Sequence, residues 1–122
     1  MALSIKFNSY HYKDLIAVYE VDVQFPDVSG MEHLDMLMTR SEIAKYEPHF
    51  SDKERQRLLT ADKLLREQAP LFYQSIQEIA DLASWRQDAD APTAHWWWYL
   101  DVITQMHKQT QSSDFILTSA HV

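Results

Sequence analysis

The sequence predicts a mainly helical α+β domain, a small bundle of three to five helices with an amino-terminal strand pair packed on it. Three observations carry that prediction. Apolar residues alternate from Tyr19 to Phe25, the apolar spacing becomes helical after about residue 30, and Pro26, Asp27, Ser29 and Gly30 punctuate the change. With 122 residues, one domain is the expectation: an extended segment over 1–30, a helical core over 31–110 and a tail over 111–122.

In the extended segment, Tyr19, Val21, Val23 and Phe25 share one face and Glu20, Asp22 and Gln24 the other, the pattern of a half-buried strand. Ile5 and Phe7 alternate with Lys6 and Asn8, so residues 4–12 are the expected partner strand, although Lys13-Asp14 lacks the glycine or asparagine of a tight hairpin. Two strands are marginal alone, so they must lie on the helices or pair with a second copy.

Beyond Gly30, residues Met31, Leu34, Leu37 and Met38 take helical spacing, and Thr39-Arg-Ser-Glu42 matches a capping box for a short helix over 41–47 that Pro48 stops. Ser51-Asp-Lys-Glu54 is a second capping box. From it Leu58, Ala61, Leu64, Leu65 and Gln68 line one helix face. Pro70 either opens a new helix or kinks a long one. Leu71, Phe72, Ile76, Ile79, Leu82 and Ala83 form the next apolar stripe. Residues 87–92 read as a loop, and Thr93 caps a last helix reaching about Lys108. The tail frays or adds a strand at Phe115–Leu117.

Composition removes whole classes of activity. One glycine cannot build a P-loop, a dinucleotide fingerprint or a kinase loop, and zero cysteine excludes thiolate metal sites, disulfides and a Cys nucleophile. The net charge of −7 repels nucleic acid and anionic lipid on average. Acidic groups outnumber basic ones eight to four over residues 1–50, and the two balance at six each over 51–87. No apolar run approaches the roughly 20 residues of a membrane span, and the amino terminus lacks a signal-peptide pattern, so a cytoplasmic, membrane-free protein is expected.

The most unusual segment is Ala94-His-Trp-Trp-Trp-Tyr-Leu100. Three successive tryptophans cannot all enter one core at 100° per residue. On that geometry Trp97 falls on the polar side beside Asp101, with Trp98 flanking, and these three residues are the candidate protein interface. The competing reading is that the rings simply fill the core. Truncation separates the two, because an interfacial Trp97→Ala should cost association and little stability.

Two further constellations compete. Arg55, Arg57 and Lys63 on the 53–66 helix are a candidate nucleic-acid surface, although Asp52, Glu54, Asp62 and Glu67 interleave with them and a solvated charged face is the ordinary explanation. His95, with Asp88 and Asp90 on the preceding acidic loop, is a candidate polar site for proton transfer or a metal, against the alternative of a satisfied structural histidine. No metal motif, catalytic triad or cofactor motif is present in the sequence. The functional expectation is a non-enzymatic regulatory or adaptor protein acting through protein contact, with a basic protein or a second copy as partner. The alternatives are a nucleic-acid-binding regulator and a His-based enzyme or metal protein.

Overall fold

In the computed structural model, which describes the backbone of residues 2–120 and the side chains of residues 12–110, helices follow one another and no strand occurs among the described residues. The elements are α1 (Ala2–Asp22), α2 (Gly30–Ala44), α3 (Asp52–Glu67), α4 (Ala69–Gln77), α5 (Leu82–Asp88) and α6 (Leu100–Ala120), with 3-10 turns at Glu47–His49 and Trp96–Tyr99. No helix among the described residues is long and apolar enough to cross a membrane.

The expected strand pair is therefore corrected: residues 4–12 and 19–22 belong to α1 and 23–25 to the turn that follows it, and the fold is all-helical instead of α+β. The spacing of Tyr19 and Val23 explains the misreading, since four residues fit both a period of two and a helical turn. Ile16, Tyr19 and Val23 form one buried helical stripe, whereas Val21 and Phe25, which a strand would bury with them, stand about half exposed. Residues 4–11 are helical in backbone, with side chains outside the described set. The tail is likewise the continuation of α6 as far as Ala120, not a strand.

Two other boundaries move. Met31–Met38 and the segment over 41–47 are not separate helices: α2 runs unbroken to Ala44 from an N-cap at Ser29, whose hydroxyl accepts from the Glu32 amide at 3.3 Å. The capping box at Ser51 forms in both directions, with Glu54 N–H donating to Ser51 Oγ at 3.2 Å and Ser51 N–H donating to Glu54 Oε1 at 2.9 Å. Pro70 sits in the first turn of a new helix, α4. The last helix begins at Leu100 instead of after Thr93.

Helix α2 lies at the centre, packed between α1 and α4; α4 also rests on α6, and α1 on α3. One cluster of buried apolar side chains joins them, including Ile16, Leu34, Leu37, Leu65, Phe72 and Leu100. The sole glycine has a packing reason. A Cβ on Gly30 would lie 2.4 Å from the Ser75 carbonyl oxygen and 2.7 Å from Ile79 Cγ1, so only glycine lets the start of α2 press against α4.

Candidate functional site

The three tryptophans do not occupy a regular α-helix. Trp96–Tyr99 is a 3-10 turn, which advances about 120° per residue and spreads the three rings around its axis. Trp97 and Trp98 are each 2% exposed. Both indoles donate to one acceptor, Ser41 Oγ on α2, at 2.9 and 2.8 Å. Trp96 is half-buried beneath the Arg66 guanidinium, 4.5 Å from its ring centre. The sequence expectation of an outward Trp97 is thereby overturned. Asp101, the third expected interface residue, accepts from Arg86 at 2.9 Å, and the same guanidinium donates to the Trp98 carbonyl at 2.9 Å.

Trp97 is the floor of a buried polar network. Arg40, only 4% exposed, lies 4.0 Å over its ring and donates through Nε and Nη2 to both Asp62 oxygens at 2.9 and 3.0 Å. Tyr19 OH donates to Asp62 at 2.7 Å, and Glu47 meets Arg40 Nη2 at 2.8 Å. Burial first, then the Asp62 carboxylate, pushes the Tyr19 phenol well above its ordinary value. For Arg40, burial works against the charge, but the hydrogen bonds and charge of Asp62 outweigh it and raise the pKa. The network ties α1, α2, α3 and both 3-10 turns together. Removing one partner of such a buried pair costs about 3–5 kcal/mol, because the other charge is left stranded. Its groups satisfy one another except Arg40 Nη1, which is buried with no hydrogen-bond partner among the described residues.

His95 stacks on Trp97 with ring centres 4.4 Å apart. Burial, then the nearby Arg40 charge, holds its pKa below the ordinary histidine value. Its charged neighbours are Arg40 and Glu47, while Asp88 and Asp90 are exposed and make no hydrogen bond to it among the described residues. The constellation of His95 with those two carboxylates is thus not brought together. No group of three or more His, Asp or Glu among the described residues is arranged to hold a metal ion.

The basic candidates divide. Arg57 is bound to Glu20 of α1 through two contacts, at 3.0 and 2.5 Å. Arg55 and Lys63 are exposed, and Lys63 has only a loose pairing to Glu67 at 3.9 Å.

The surface feature that the sequence reading missed lies between α1 and α2. A groove of about 380 Å³ is lined by Val18, Phe25 and Val28 together with Asp22, Glu32 and Asp35. Phe25 is 49% exposed, and Val18 and Val28 are also open. None of the three carboxylates has an ion-pair partner among the described residues. Crowding is visible in the Asp22 carboxyl, held above the usual carboxylate value by burial first and by Glu32 and Asp35 as neighbouring anions. The floor is His33, buried, with Nε2 at 3.0 Å from the Pro26 carbonyl and its ring edge-on to Phe72 at 4.6 Å. A carbonyl only accepts, so Nε2 carries the proton. The excess of acid over residues 1–50 was the available signal, and the helical reading of α1 was needed to see which apolar residues border it. Comparison with family models, with curated proteins and with solved structures finds no match to this chain.

Proposed function

We propose that this protein works by protein–protein contact, without chemistry of its own, and that its contact surface is the α1–α2 face instead of the three-tryptophan segment. One observation carries the reading: open apolar side chains at Val18, Phe25 and Val28 stand among three carboxylates that have no ion-pair partner among the described residues. Apolar surface rimmed by charge is the usual composition of a docking site, and opposite charge on the partner selects it and speeds encounter. The partner is therefore cationic around an apolar centre. The buried Arg40–Asp62 network joins α1 and α2, the two helices that form this face, to α3.

The test compares proteins recovered from the native host with tagged wild type and with a Val18→Ser/Phe25→Ser variant. Both positions are surface-exposed, so the variant should retain its helical circular dichroism and lose the species that co-purify with wild type. Identical recoveries from a folded variant would overturn the reading.

A further inference from the structure

Along the sequence, helix α3 looks evenly charged, DKERQRLLTADKLLRE. In space it is not. Asp62 is withdrawn into the Arg40 network, Glu54 is folded onto the Ser51 cap, and Arg57 is neutralised by Glu20. The outer side of α3 keeps Lys53, Arg55, Lys63 and Arg66 against Asp52 and Glu67. At its middle stands Leu59, 57% exposed, one turn from Arg55 on one side and one turn from Lys63 on the other. This stripe repeats the layout of the α1–α2 groove with the sign reversed: an apolar centre flanked by charge. The dimensions also agree. Arg55 to Lys63 spans about 12 Å of helix, and Glu32 to Thr39, the α2 wall of the groove, about 10 Å.

The two surfaces cannot meet within one molecule. On α1, Val18 faces the groove and Glu20, about 200° round the helix, faces α3, so groove and stripe lie on opposite flanks of α1. We propose that the occupant of the α1–α2 groove is α3 of a second copy of this chain, with Leu59 set among Val18, Phe25 and Val28, and with Arg55 and Lys63 facing Asp22, Glu32 and Asp35. The inference rests on the contact role assigned to the groove and names its partner. Because groove and stripe are different patches, the contact either forms twice in a two-fold dimer or propagates head to tail.

Sedimentation velocity on the full chain tests it through a charge swap. One variant reverses the groove (Glu32→Lys/Asp35→Lys) and another reverses the stripe (Arg55→Glu/Lys63→Glu); all four positions are exposed, and circular dichroism confirms that each variant is folded. Wild type should associate as concentration rises, and each variant alone should associate at least about tenfold more weakly. An equimolar mixture should regain association, since each variant supplies the wild-type surface the other lacks. The groove reversal makes the chain less acidic and the stripe reversal more acidic, so a loss in both cannot be an effect of net charge. A wild type that stays monomeric throughout, a variant that associates like wild type, or a mixture that stays monomeric overturns the proposal. A monomeric wild type that still loses its co-purifying species on Val18→Ser/Phe25→Ser would leave the groove as a contact site for a different cationic protein.

Discussion

The residue that decides between core and interface is Trp97. Its indole donates to Ser41, its face carries the Arg40 guanidinium and its other neighbours are His95 and Trp96, so it is a structural ring. Trp97→Ala should lower the free energy of unfolding by about 3–5 kcal/mol in chemical denaturation; a loss of association with unchanged stability, the outcome expected of an interfacial ring, would contradict this account. His33 supplies the residue-scale pH dependence. Burial, the dominant cause, lowers its pKa in the fold, against the raising influence of the Pro26 carbonyl and of Glu32, Asp22 and Asp27. The unfolded chain then binds the proton first, so stability is lost as pH falls from the unfolded value near 6.5. Asp22, whose folded pKa is raised, acts in the opposite sense at more acidic pH. His33→Gln keeps a donor for the Pro26 carbonyl and does not titrate, so its stability should fall less than that of wild type between about pH 7 and 5. Parallel pH profiles for the two proteins would remove His33 from the argument. That the tryptophans belonged together was legible in the sequence. Their true direction was not, because it depends on a 3-10 turn and on an acceptor, Ser41, more than fifty residues away.

At the scale of elements, local rules held where the residues make the bonds themselves. The Ser51–Glu54 box was readable, since it is settled within one turn of chain, whereas Pro70 left a new helix and a kink equally open and the structure has the new helix. The amino-terminal segment was misread because Tyr19 and Val23 satisfy two periods at once. Only tertiary contact shows that Val21 is left outside the core. The capping pattern at Thr39–Glu42 was also present and idle, since α2 already had a start at Ser29 and nothing within it to end the helix early. Packing between elements makes Gly30 irreplaceable: Gly30→Ala should destabilise by about 1–3 kcal/mol by forcing α2 from α4, despite alanine's better helix propensity. A melting temperature equal to or above that of wild type would show that the two helices separate without cost.

For the molecule as a whole, the folding that seals Trp97 and Trp98 leaves other apolar side chains in solvent, and the α1–α2 groove combines several of them with carboxylates that have no ion-pair partner among the described residues. The overall charge of −7 was plain in the sequence, but its division into an acidic groove and a basic outer side of α3 was not. That division arises from which carboxylates the fold draws inward, Asp62 and Glu54 above all. The claim on which the functional account turns is that the α1–α2 face meets another protein. A photo-crosslinking amino acid placed at position 25 and, separately, at the exposed position 74 on α4 measures this directly in living cells of the native host. The account predicts discrete protein adducts from position 25, with this chain itself among the species identified by mass spectrometry, and little from position 74. Adducts no more abundant at position 25 than at position 74 would contradict it.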